Sequence, residues 1–139
     1  MSERCQIRFT NGGVTAQINR HREGYPEGKD GVIEDLVNFR NEVEDNRLDD
    51  PSYGAANFIH WCKIQNEKAG HGFWSTGYGV ESVGPIHGCE RYIYVLDYPN
   101  IKFAKIEDHD QLDAFDRQQW DFEGTLDEAY AKYVTNHRY

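Results

Sequence analysis

Arg4-Cys5-Gln6-Ile7-Arg8-Phe9-Thr10-Asn11-Gly12-Gly13-Val14-Thr15-Ala16-Gln17-Ile18-Asn19 decides the fold. In its first half Cys5, Ile7 and Phe9 alternate with Arg4, Gln6 and Arg8. In its second half Val14, Ala16 and Ile18 alternate with Thr15, Gln17 and Asn19. A period of two marks a strand, because successive side chains point to opposite faces. Asn11-Gly12-Gly13 supplies residues that tolerate the backbone of a tight turn. The stretch predicts a β-hairpin with one buried face, apolar residues inward and polar residues outward.

Outward from the hairpin, Gly and Pro mark residues 22–29 as loop. Asp30 is the expected N-cap of a helix carrying Val32, Leu36, Phe39 and Val43 on one stripe. After the polar break Asn46–Asp50, Pro51-Ser52 opens a second helix, with Lys68-Ala69-Gly70 as its stop. Its apolar residues wrap most of the circumference, so this helix is expected to be the more buried. Six glycines fall between Gly70 and Gly88, which predicts loop around a short strand at Tyr78, Val80 and Val83. Tyr92, Tyr94 and Leu96 alternate with Arg91, Ile93 and Val95 in an apolar-rich strand that reads as central. Tyr98-Pro99-Asn100 turns the chain, and 101–106 returns as a strand. Two short helices are expected at about 109–118 and 125–135. The order implies an α+β fold: a mainly antiparallel sheet, built from the N-terminal hairpin and two or three later strands, with helices packed against it. All 139 residues are expected to form one domain, 1–139.

Composition narrows the class further. Hydrophobic residues make up 38% of the chain, but Phe, Trp and Tyr alone supply 14%, enough large side chains for a packed core. No apolar run approaches the roughly 18 residues of a membrane span, and the first residues carry no apolar signal stretch. Cys5, Cys62 and Cys89 are an odd number, which suits reduced thiols in a cytoplasm. The formal net charge is −9, and residues 107–128 carry −8 of it. Such a surface repels nucleic acid and steers a basic partner. No direct nucleic-acid binding and no membrane contact are expected. A protein partner with a basic surface is expected at Asp108, Asp110, Asp113, Asp116, Asp121 and Glu123. The oligomeric state is left open.

The densest chemistry lies in Arg20-His21-Arg22-Glu23-Gly24-Tyr25-Pro26-Glu27-Gly28, at the end of the second strand. Arg20 and Arg22 are candidate ligands for a small anion, Tyr25 for stacking, and His21 for proton transfer near neutral pH. Glu23, Glu27 and Asp30 crowd the same place and offer the arginines internal partners. The run Arg20–Pro26 resembles an Arg-His-x-Asp-Gly-Tyr-Pro motif of small phage, bacterial and haloarchaeal proteins with no established activity. His87-Gly88-Cys89-Glu90-Arg91-Tyr92-Ile93-Tyr94-Val95 is similar to their second block, His-Gly-Asp-x-Glu-Tyr-x-Tyr-Val. Glu23 and Cys89 stand where that family has Asp. The resemblance implies a phage or prokaryotic source, hence a host cytoplasm if the protein is phage-encoded.

Other chemistries are disfavoured by spacing. His60-Trp61-Cys62 and His87-Gly88-Cys89 are two His-x-Cys pairs, but on a helix His60 and Cys62 point about 200° apart and cannot share an ion. No metal and no cofactor is expected. Cys89 with His87, or His21 with His87, would need a catalytic pattern that the sequence lacks. Ser75 and Ser82 have no Gly-x-Ser-x-Gly setting, and no glycine pair opens a phosphate loop. Phe73, Trp74 and Tyr78 form an aromatic Gly-rich loop that could serve a binding surface. Two readings follow. One is a small acidic cytoplasmic binding protein that docks a host protein, as an inhibitor or a mimic of nucleic-acid charge. The other is a small nucleotide- or phosphoester-binding module or hydrolase centred on Arg20, His21, Arg22 and Tyr25.

Overall fold

The computed structural model describes residues 3–72, 77–84, 90–107 and 114–137. Strands β1 (Arg4–Thr10) and β2 (Thr15–Arg20) form the expected antiparallel hairpin, from Cys5 opposite Arg20 to Thr10 opposite Thr15. Asn11 closes the turn: its Oδ1 accepts from the Gly13 and Val14 amides at 2.9 and 2.8 Å. Gly12 takes φ +89°, a backbone that a side chain would oppose.

Two helices follow. In α1 (Val32–Glu42), Val32, Ile33, Leu36, Val37 and Phe39 are buried. Asp30 does not cap it. Gly31 holds the N-cap position without a side-chain hydrogen bond, and Asp30 lies outside at φ +67° with its amide donating to Glu34 Oε1 at 3.0 Å. A Cβ at Gly31 would stand 2.6 Å from Glu27 O, so the close approach selects glycine there. In α2 (Pro51–Lys68), Pro51 is the first helical residue, as the sequence implies, and Asp50 of the polar break serves as the N-cap.

The sheet then completes. Strands β3 (Tyr78–Glu81), β4 (Glu90–Asp97), β5 (Asn100–Lys105) and β6 (Phe122–Thr125) join the hairpin in the order β3-β2-β1-β4-β5-β6. Val83 falls beyond β3. The fold is α+β, and the sheet is mostly antiparallel but mixed: β1 and β4 run parallel, and the other neighbours run antiparallel. A parallel neighbour needs a long crossover, which α1, α2 and β3 provide. The expected tail helix at 109–118 falls partly outside the described residues. Within them it reduces to a 3-10 turn at Ala114–Asp116, and the chain enters β6 instead. The last helix forms as α3 (Leu126–Tyr130), opened by a capping box between Thr125 and Glu128 and continued by a π-helical turn at Ala131–Thr135.

The main core lies between the helices and one sheet face. Phe58 of α2 meets Phe9, Phe39 and Trp61 with ring centroids 6.1, 5.5 and 6.4 Å apart. Phe103 joins Tyr94, Phe122 and Tyr133 at 5.3, 5.3 and 4.9 Å, which ties β4, β5, β6 and the C-terminal helical segment together. The opposite sheet face is not simply solvated, contrary to the one-sided pattern. Gln6 and Gln17 are buried there. Gln6, Gln17 and Asn19 all donate to the Glu81 carboxylate, the last two at 2.7 Å. A carboxylate can accept several such bonds, which lets amides sit inside. Beside them Ile93, Ile106 and Ala114 form a second small cluster under Phe115 and Trp120. Among the described residues no helix is long and apolar enough to cross a membrane.

Candidate functional site

The corner from Arg20 to Gly31 begins where β2 leaves the sheet. Arg20 stands opposite Cys5 on the helix-facing side, so its guanidinium enters the core and is 3% exposed. Nη1 lies 2.8 Å from Asp35 Oδ2 on α1. Nε donates to Arg22 O at 2.8 Å and Nη2 to Asp30 O at 2.7 Å. Glu23, the neighbour offered by the sequence, approaches only to 3.9 Å. The guanidinium therefore fastens both ends of its own loop to the first turn of α1.

Burial, the largest single influence, would lower the Arg20 pKa, but Asp35 together with Tyr78, Cys62 and Cys5 outweighs it, and the net direction is up. Burial also pushes the Asp35 carboxyl up, to about 6, and Arg20 offsets this only in part. The two shifts act oppositely on the pair, firming the charge of Arg20 and weakening that of Asp35. At neutral pH both remain ionised, and the 2.8 Å contact is an ion pair. Burial raises the Cys5 thiol to about 12 and also raises that of Cys62, both against the pull of Arg20. Neither thiol is a ready nucleophile.

Other bonds fix the rest of the corner. Tyr94 Oη donates to Gly24 O, and the Gly24 amide donates to Glu3 O at 2.7 Å. A Cβ at Gly24 would come within 2.6 Å of Glu3 O and 2.8 Å of Cys5 Cβ. Tyr25 is half-buried, and its carbonyl accepts from the Val32 amide at 2.9 Å. Burial, then the charges of Glu23 and Asp30, raise its phenol. Gly28 N donates to Tyr133 O at 2.9 Å, which ties the loop to the C-terminal helix.

His21 and Arg22 are exposed. His21 packs its Cβ against Gly77, where an added Cβ would be 3.0 Å away, and its amide bonds Gly77 O at 2.9 Å. Arg22 borders a cleft of about 130 Å³ with Glu23, Asn66, His71 and Tyr78, and Arg20 stands behind it. Ligand pockets for drug-sized molecules run from roughly 300 Å³ upward, so this space suits a few waters or a small ion and not a nucleotide. His21 and Tyr25 do not line it. His87, the weighed partner of His21, the Cys89 thiol, and the aromatics Phe73 and Trp74 lie outside the described residues.

The acidic candidates divide. Asp108, Asp110 and Asp113 lie outside the described residues. Asp116, Asp121 and Glu123 are exposed. Asp121 also holds the backbone locally, its Oδ2 accepting from the Lys105 amide at 2.7 Å next to the start of β6. Glu123 stands opposite Lys102, whose Nζ rests 4.7 Å from the Trp120 ring centre. Two further carboxylates of the segment are engaged locally, Asp127 with Arg40 at 2.8 Å and Glu128 in its capping box. Among the described residues no three His, Cys, Asp or Glu side chains are placed to hold a metal ion.

Sequence reasoning missed Asp35 and Glu81. Asp35 had one available signal, a carboxylate in the first turn of an amphipathic helix beside buried Leu36. Glu81 had none, since its three amide partners are 62 to 75 residues away.

The corner is thus a structural clasp with a small polar cleft at its rim, set in an α+β fold with an acidic far edge. Comparison with known protein families, with curated proteins and with solved structures finds no match for this chain.

Proposed function

We propose that the chain is an acidic binding protein that docks a basic protein surface through the carboxylates of its C-terminal third. One observation carries this reading: the Arg20 guanidinium is engaged by Asp35 and two carbonyls, while Asp116, Asp121 and Glu123 stand exposed. A catalytic centre at Arg20 and His21 would need that guanidinium turned toward a ligand, with His21 beside it. The small volume of the cleft counts further against the nucleotide or phosphoester reading. The run Arg20–Pro26 resembles a motif of small phage, bacterial and haloarchaeal proteins, and a phage source would make a host protein the partner. An inhibitor that presents the charge of nucleic acid is the concrete form of this reading.

The test is calorimetric titration with a Lys/Arg-rich peptide at low and at physiological salt. Asp116→Lys combined with Glu123→Lys should weaken binding at least about tenfold at low salt and less at high salt. Equal affinity in the doubly reversed variant would remove the proposal. A panel of nucleotides and phosphoesters should give neither thermal shift nor turnover with the native chain.

A further inference from the structure

The two edges of the sheet are built differently. The β6 edge carries Glu123 within the strand and Asp121 just before it, both exposed. Charge on an edge strand discourages pairing with another chain. The β3 edge has no such guard. From Gly77 to Gly84 there is no Lys, Arg or Pro. Its single charged residue, Glu81, is turned to Gln17 and Asn19 on the sheet face, at 2.7 Å each.

The backbone there is available to a partner strand. His21 N donates to Gly77 O, and Asn19 pairs with Gly79 in the same register. Residues 77, 79 and 81 therefore direct their backbone groups toward β2, and Tyr78 and Val80 direct theirs outward. Among the described residues no strand pairs with that side. The chain leaves β3 inward across the sheet, where Gly84 O accepts from Arg8 Nη2 at 3.0 Å. Val80, opposite the buried Ile18, is 76% exposed, the largest exposure among the big apolar side chains described.

We propose that the β3 edge pairs antiparallel with the β3 edge of a second copy of this chain. The distribution of charge selects that occupant. A chain of net charge −9 should repel itself, but the exposed carboxylates of Asp121 and Glu123 lie beside and within β6, at the opposite end of the sheet, whereas the β3 edge carries only Glu81, already engaged by side-chain amides. Five strand spacings separate the two edges, about 24 Å, against a screening length of about 8 Å at physiological salt. Joining two β3 edges keeps the acidic ends at the extremes of the assembly. It also brings two Val80 side chains onto one face of a continuous sheet, where each covers the other.

Analytical ultracentrifugation over a concentration series tests this. The native chain should reach twice its monomer mass. Val80→Lys places like charges across the joint and should raise the dissociation constant about tenfold or more. Val80→Pro removes an outward amide that β2 does not use, and should do the same with an unchanged circular dichroism spectrum. Glu123→Lys, at the far edge, should leave the dimer intact. The Tyr78 and Val80 amides should exchange hydrogen more slowly in the concentrated sample. A native chain that stays monomeric up to millimolar concentration would overturn the proposal and leave the edge to a strand of another protein. A dimer indifferent to both Val80 variants would overturn it as well.

Discussion

Arg20 shows how one residue can carry a recognisable motif for a reason other than chemistry on a ligand. Its buried guanidinium joins β2, the loop and α1 through Asp35, Arg22 O and Asp30 O. Removing one partner of a buried ion pair typically costs about 3–5 kcal/mol, so Arg20→Met should lower the unfolding free energy by that order in urea titrations. Gly24→Ala should also destabilise, by about 1–3 kcal/mol, because its Cβ would meet Glu3 O at 2.6 Å. His21→Ala, at an exposed position, should stay within about 0.5 kcal/mol of the native chain. Asp35 adds a pH signature. Its carboxyl titrates near 6 in the fold, above its ordinary 3.8, so the folded state binds the proton more tightly than the unfolded chain. Its contribution is therefore full below pH 3.8 and is lost as pH rises through about 6. Measured between pH 4 and 7, the native unfolding free energy minus that of Asp35→Asn should fall by about 1–3 kcal/mol as pH rises. A difference that rises instead would mean that the Arg20 contact outweighs burial. The sequence marked the place of Arg20 but not its partner. It offered Glu23 and Glu27 nearby, whereas the fold supplies Asp35 from the next helix.

At the scale of elements, the legible parts were those whose pattern is local. The hairpin, both long helices with Pro51 at the second start, and the central strand at Tyr92–Leu96 follow from periodicity and turn residues. The unforeseen parts depend on distant partners. β6 is four residues, Phe122-Glu123-Gly124-Thr125, with too little alternation to mark a strand. It exists because β5 offers an edge and Phe122 stacks on Phe103 at 5.3 Å. The parallel joint of β1 with β4 pairs residues more than eighty positions apart, such as Ile7 with Tyr94. Gln6 and Gln17 read as solvent-facing because alternation cannot tell a wet face from one roofed by the chain's own return. Their burial makes Glu81 the keystone of that face. Glu81→Gln replaces an acceptor-only group by one that brings its own N–H donors among three side-chain amides. The variant should be less stable by about 1–3 kcal/mol in chemical denaturation, far more than an ordinary substitution on an edge strand. An effect below about half a kcal/mol would show that the amides find other partners.

For the whole molecule, the uneven charge sets the terms. Within residues 107–128, Arg117 is the single Lys or Arg among nine carboxylates, so the excess negative charge concentrates in one segment of the chain. Asp127 has its ion pair with Arg40, and Glu128 is engaged at a helix start, but Asp116 and Glu123 extend into solvent. Repulsion between exposed charges is screened by salt, whereas ion pairs that hold a fold are weakened by it. The two effects predict opposite responses, and the geometry here favours the first. Raising salt from about 20 to 200 mM, where the screening length falls from roughly 20 to 7 Å, should therefore stabilise the chain, by about 2–5 °C in thermal midpoint. Asp116→Asn with Glu123→Gln should raise the midpoint at low salt and shrink the gain from added salt. A midpoint that falls with salt would place the Arg40–Asp127 pair, and not acidic repulsion, in control. It would also weaken the case for an acidic end held ready for a basic partner, because that end would then be neutralised from within.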